Sequence, residues 1–383
     1  MLMNDVIQPQ TRNFPSPEYN QKSVVTSLPF WVICILLFFC TSFSVLAATV
    51  NPVKWHPGHY MMLVNPGKDK TQYMQKVYTE LNETPALRGV AMRYRWAELE
   101  KSKGVYDFSS IDRHLQELAT RKKRLVILIE TKSTNLDLEI VPSYLKNSTY
   151  EGGVFAFSGY TTSTIKGYNT KLWNTNVRDR LAALLSAMGK HLNANPYFEG
   201  IGLVETALGK PIVPFTTAQV NGYYDNLINL HQKMRQSFPT TMVFQFTNYP
   251  RAKLPAITNS LKTAGGALGC PDVFLEEPGL LVEGTNQGIY NYYKDLTGII
   301  PLVVQIEESN YENTRFDGKG YQPTIGELLN FAKNQLKVNY LFWTRTPAYY
   351  PQVLEMLNQS GQKTTPSGGL SAACPSIYAS CTK

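Results

Sequence analysis

The sequence predicts a single (β/α)8 barrel, and three observations carry that reading. Eight short apolar runs recur along the chain, at 59–64, 87–92, 124–129, 199–205, 241–246, 272–276, 301–307 and 339–343. Each is rich in Val, Ile, Leu or Phe and has no polar face, the pattern of strands covered on both sides in a parallel sheet. Between them lie stretches with the apolar period of helices, and no Gly-rich phosphate turn of the kind that marks an open doubly wound sheet follows an early run. Eight strands alternating with eight helices is the count of a closed barrel.

Taken in order, the helices read as follows. Met74, Val77, Tyr78 and Leu81 form the first apolar stripe. Ile111, Leu115 and Leu118 form the second, opened by Ser109 with Asp112 as a capping pair. Val177, Leu181, Leu184, Met188 and Leu192 form the third, and Val220, Tyr224, Leu227 and Met234 the fourth. Weaker stripes near 252–264, 287–296 and 350–358 supply the fifth, sixth and eighth. Ile325, Leu328, Leu329 and Ala332 form the seventh, opened by Thr324 with Glu327. Gly265, Gly266 and Gly269 follow a helix and read as its stop.

Composition bounds the function. The chain has 383 residues, 43% hydrophobic and 17% charged, with 37 Lys+Arg against 29 Asp+Glu. The excess of +8 is scattered, so it argues for solvated surface and against nucleic acid as a partner. A 12% aromatic content suits a surface that stacks on sugars or bases more than one that binds phosphate.

Residues 1–48 read as a signal peptide or an N-terminal membrane anchor. Leu28 to Cys40 is apolar throughout, and Val45 and Ala47 fit the small-residue rule for cleavage. Either way the bulk of the chain lies outside the cytoplasm: secreted, periplasmic, or held to the membrane through 28–48. Residues 49–360 are the barrel. The Ser-, Thr- and Gly-rich segment 361–383 reads as a flexible tail, in which Cys374 and Cys381 are spaced to close a small loop. No Cys or His pair has zinc-ligand spacing, and no cofactor motif is present. His56 and His59 precede or open the first strand, at the face away from the chemistry, and read as structural.

In a barrel the chemistry sits at the carboxyl ends of the strands. Those ends carry Arg93, Arg95 and Trp96 (second), Glu130 (third), Glu205 (fourth), Gln245 and Asn248 (fifth), Glu276 and Glu277 (sixth), Glu307 and Glu308 (seventh) and Trp343 (eighth). Paired carboxyls among hydrogen-bonding and aromatic side chains are what glycoside hydrolysis requires. Alternation puts Val303, Gln305 and Glu307 on one strand face, and a polar Gln fits the barrel mouth, so Glu307 is preferred to Glu308. Strand starts are otherwise spaced 28 to 42 residues, but 75 residues separate Arg124 from Glu199. The aromatic-rich insertion at 131–175 is therefore expected to fold over the carboxyl face and line the cleft.

The stretch from Gly89 to Asp112, with Trp96, Leu99-Glu100, Gly104 and Tyr106-Asp107-Phe108, resembles the second-strand signature of clan A glycoside hydrolases, the family 42 β-galactosidases among them. Leu172-Trp173-Asn174 and Asn195-Pro196 are also similar to that group. The resemblance implies an enzyme that hydrolyses O-glycosidic bonds of an oligo- or polysaccharide with retention. It implies Glu205 as acid/base, Glu307 as nucleophile, and Trp343 as the floor of the sugar site. Arg93, Arg95, Trp96, Glu130, Gln245 and Asn248 are the expected substrate contacts. An acid needs a raised pKa, and Ile201 and Leu203 would supply the apolar wall. Two departures stand out. Val204 replaces the Asn that usually precedes the acid, and Glu276-Glu277-Pro278 stands where strand six often ends in Tyr. A non-catalytic barrel that binds glycans fits the same residues.

Overall fold

The computed structural model describes residues 52–64, 66–159, 162–312 and 321–383. The expected export segment, with Cys34 and Cys40, lies outside these residues. No described helix is long and apolar enough to cross a membrane.

Eight parallel strands close into a barrel: β1 Gly58–Leu63, β2 Leu87–Arg95, β3 Arg124–Glu130, β4 Phe198–Leu203, β5 Met242–Phe246, β6 Ala267–Cys270, β7 Leu302–Ile306 and β8 Tyr340–Thr344. Consecutive strands are neighbours, and β8 pairs with β1 to complete the ring. The helices are α1 Thr71–Glu83, α2 Ser109–Thr120, α3 Thr175–Leu192, α4 Thr217–Ser237, α5 Leu254–Ala264, α6 Ile289–Leu296, α7 Ile325–Asn330 and α8 Tyr350–Leu357. Their expected apolar stripes are the buried faces.

The pleat sends alternate residues to the axis. Tyr60, Met62, Ala91, Val126, Leu128, Met242, Phe244, Phe246, Val303, Tyr340 and Phe342 fill it as one cluster. On β4 the inward positions include glycine, because a Cβ at Gly202 would collide with the Phe244 ring. Outward residues such as Ile201, Leu203, Leu268 and Trp343 join the separate layer under the helices.

Three expectations need correction. Strand six is Ala267–Cys270, five residues before the apolar run at 272–276. Gly269 belongs to this strand because Phe246 leaves no room for a side chain there. The Ser109–Asp112 capping pair does not form; Asp107 Oδ1 instead accepts from the Ser109 amide at 3.1 Å. The Thr324–Glu327 capping box does form. Finally, 361–383 is not loose. Its residues Cys381–Thr382 pair with Val53–Lys54, Cys374 is bonded to Cys381, and Tyr378 packs into the axial cluster. Trp55 anchors the segment by donating from Nε1 to the Ala372 carbonyl at 3.0 Å.

The base of the barrel is closed by a buried polar network. Glu199 accepts from the His56 amide and ring Nδ1 and from the Tyr340 hydroxyl, each at 2.7 Å. Burial would raise the Glu199 carboxyl, but the His56 hydrogen bond and charge, with Tyr340, hold it below the usual carboxylate range. His56 is thus structural. A buried charge that loses its partner is costly, so Glu199→Ala should lose about 3–5 kcal/mol of stability in urea unfolding. Because Glu199 is depressed in the fold, its contribution is complete above the ordinary carboxylate range and is lost as pH falls through the folded value.

Candidate functional site

The carboxyl ends of the strands open into a cleft of about 990 Å³. Arg93, Arg95, Glu130, Glu205 and Glu307 all line it, and so does Asp272, which the sequence reading did not single out. The cleft wall also includes Lys132, Ser133, Thr134, Asn135, Leu138 and Lys166 from the long insertion. The insertion builds a four-stranded sheet from Lys132–Ser133, Val154–Ser158 and Ile165–Thr170, with Lys210–Pro211 as the fourth strand. The insertion thus lines the cleft as expected, through polar side chains and Leu138 rather than its described aromatics. Phe155, Trp173 and Phe215 pack on one another, and Tyr150 and Phe157 are buried. They fasten the sheet to the barrel, and polar side chains meet the solvent.

Glu307 follows β7 on the inward face, above Val303 and Gln305. Arg93, inward on β2, donates from Nη2 to Glu307 Oε1 at 2.6 Å. Gln305 Nε2 donates to the same oxygen at 2.6 Å and to Thr344 Oγ1 at 3.0 Å. The Asn310 Oδ1 accepts from the Glu307 amide at 2.8 Å and fixes the backbone there. Burial, with the negative charges of Glu205 and Glu308, raises the Glu307 carboxyl despite Arg93.

Glu205 follows β4. Lys132 Nζ contacts its Oε1 at 2.6 Å, and Asn248 Nδ2 donates to Oε2 at 2.8 Å. Asn248 is oriented by two amides, of Ala207 and Tyr249, that donate to its Oδ1. Ile201 and Leu203 were expected to raise this carboxyl, but they lie in the outer layer. Burial acts upward, yet the Lys132 charge and hydrogen bond, with Asn248, carry the Glu205 pKa below the usual range. The two glutamates nonetheless reach solvent, with side chains 32% (Glu205) and 26% (Glu307) exposed.

Asp272 stands just past β6 and is the real acidic strand-six end; Glu276 and Glu277 lie beyond it. Burial, then the charges of Glu205 and Glu307, push its carboxyl up to about 7. Glu130 is raised by burial also. Arg95 sits at the rim, held by Glu98.

Three expected contacts are elsewhere, each for a reason of pleat or turn. Trp343 alternates outward with Leu341, is fully buried, and donates from Nε1 to His59 Nδ1 at 3.0 Å. Burial lowers His59 to about 4, so it is neutral and its Nε2 is free to bond the Gly368 carbonyl at 3.0 Å. Gln245 lies between the inward Phe244 and Phe246 and points to the helical layer, donating to the Val204 carbonyl. Trp96 is buried, and its Nε1 donates to Glu100 at 2.7 Å. Glu100 also takes the Gly104 amide and Arg180. Gly104 needs glycine, since its φ is +79° at the hairpin turn. Within the stretch that carries the resemblance, Trp96, Glu100 and Gly104 thus form a structural brace, while Arg93 and Arg95 line the cleft.

No protein-family model and no curated relative matches this sequence. Solved structures do match the fold. The catalytic domain of a β-amylase from Paenibacillus polymyxa aligns with a TM-score of 0.52 at 8% identity, over 79% of this chain and 98% of that one. A β-galactosidase from the haloarchaeon Halorubrum lacusprofundi aligns at 0.51 and 10% identity, over 75% and 52%. One from Marinomonas ef1 aligns at 0.51 and 9%, over 75% and 54%. This chain spans about half the length of those two β-galactosidases. At such identities the likeness establishes the (β/α)8 fold.

Two outcomes check the site. Lys132→Met should raise the Glu205 pKa, read by carboxyl 13C NMR titration. Trp343→Phe should cost about 1–3 kcal/mol in urea unfolding by leaving the His59 acceptor unpaired.

Proposed function

We propose that the chain is an exported glycoside hydrolase that cleaves O-glycosidic bonds of an oligo- or polysaccharide. The observation that carries the reading is that Glu205 and Glu307, which follow β4 and β7, line one open cleft. The fold neighbours named β-amylase and β-galactosidase support the same chemistry by analogy. The apolar segment 28–48 supports export, as a cleaved leader or as an anchor.

Glu307 is the nucleophile. Arg93 and Gln305 hold one of its oxygens and so aim the other, which is what attack on an anomeric carbon requires. Glu205 enters the reaction as an anion, because Lys132 holds it ionised. In that state it stabilises the positive charge that builds on the sugar ring and accepts hydrogen bonds from hydroxyls. This modifies the acid role that family resemblance implies for Glu205. The outcome is retention, through a covalent glycosyl ester on Glu307.

Both carboxylates being clamped by cations also suits a barrel that binds glycans without cleaving them. Chromogenic glycosides and polysaccharides separate the two readings. Glu307→Gln should abolish turnover of every substrate. Glu205→Gln should lower it about 10²–10³-fold, alike for good and poor leaving groups. Tight glycan binding by the wild type with no hydrolysis would make the chain a binding barrel.

A further inference from the structure

We propose that Asp272 is the proton donor of this reaction, being a carboxyl that lines the same cleft as Glu205 and Glu307 and that no described ion pair reaches. The proposal rests on the reading of the cleft as a glycosidase site. β6 ends at Cys270, and Asp272 follows within two residues, lining the same cleft as Glu205 and Glu307. Lys132 is on Glu205 and Arg93 is on Glu307. Among the described residues no ion pair reaches Asp272.

The neighbours of Asp272 are neutral amides. Asn310 Nδ2 is 3.5 Å from Oδ1, and the Asn248 amide, which donates to Glu205, acts on Asp272 as well. The titratable groups that face it are Glu205, Glu307, Cys270 and Tyr290, none of them cationic. Glu205 and Glu307 each carry a cation, and Asp272 faces both of them with none. Like charges at close range cannot all ionise, and the carboxyl without a cation keeps its proton. A pKa of about 7 agrees, and it is well placed for an acid working near neutrality.

The steps balance. A Glu307 oxygen bonds to the anomeric carbon while that carbon's bond to the leaving oxygen breaks. The leaving oxygen keeps the electron pair and takes the Asp272 proton. A water oxygen then bonds to the anomeric carbon and the ester bond to Glu307 breaks, returning its electron pair to the carboxylate. The water proton goes to Asp272.

The test compares the full chain with Asp272→Asn, Glu205→Gln and Glu307→Gln on an alkyl glycoside and the 2,4-dinitrophenyl glycoside of the same sugar. Asp272→Asn should lose about 10²–10⁴-fold on the alkyl glycoside, which needs a proton, and less than about tenfold on the activated one, which does not. The alkaline limb of kcat/KM on the alkyl glycoside should vanish in Asp272→Asn and persist in Glu205→Gln. Activity of Asp272→Asn on the activated glycoside reports that it is folded, and Asp272→Ala is the second variant. If neither folds, the alkaline limb decides: persistence in Glu205→Gln supports Asp272, and its loss overturns the proposal. Full alkyl-glycoside activity in Asp272→Asn, or the leaving-group split appearing in Glu205→Gln, also overturns it while leaving the glycosidase reading intact. An active Glu307→Gln, or a wild type that cleaves neither substrate, defeats that reading and the proposal with it.

Discussion

A closed sheet of eight strands admits to its axis only every second side chain of each strand, and the rest of the molecule is arranged around that restriction. The axis is filled from the base with Tyr, Met, Phe and Val, leaving no bore. Only the last inward position of a strand reaches open solvent. Arg93 stands above Ala91, and Glu307 above Gln305 and Val303. The outward residues seal the layer beneath the helices and take no part in the cleft. Within a strand, parity decides whether a functional group is available; Glu205 and Asp272, which share the parity of outward residues, reach the cleft because they lie past the ends of β4 and β6.

Much of this was legible in the sequence. The eight apolar runs gave the barrel, and alternation selected Glu307 over Glu308. The same alternation, carried through Met242, Phe244 and Phe246, puts Gln245 outside. Carried through Tyr340 and Phe342, it puts Trp343 outside and Thr344 at the mouth. Strand six was harder to read because Ala267–Cys270 is short and contains a glycine, while Val273, Phe274 and Leu275 beyond it are more apolar. That shift hid Asp272. Lys132 and Glu205 are 73 positions apart, and their pairing depends on how the insertion folds back, which no local pattern encodes.

The mouth divides its charge unevenly. Lys132 and Arg93 each neutralise one carboxylate, and Asn248 spans the gap between a paired and an unpaired acid. Its two backbone donors fix which way the amide faces, so its Nδ2 is turned to Glu205. The insertion contributes Lys132 directly and is held in place by its own buried aromatics. Electrostatics at the centre thus depend on packing at the periphery.

The Trp96–Glu100–Gly104 brace has a consequence for descent. It is the most recognisable stretch of the chain, yet it touches the hairpin and Arg180 and no cleft carboxyl. Selection on it is selection for a correctly formed corner of the barrel. A lineage can therefore conserve this signature while exchanging its substrate, or its chemistry altogether, because inheritance of the corner and inheritance of the reaction are physically separable.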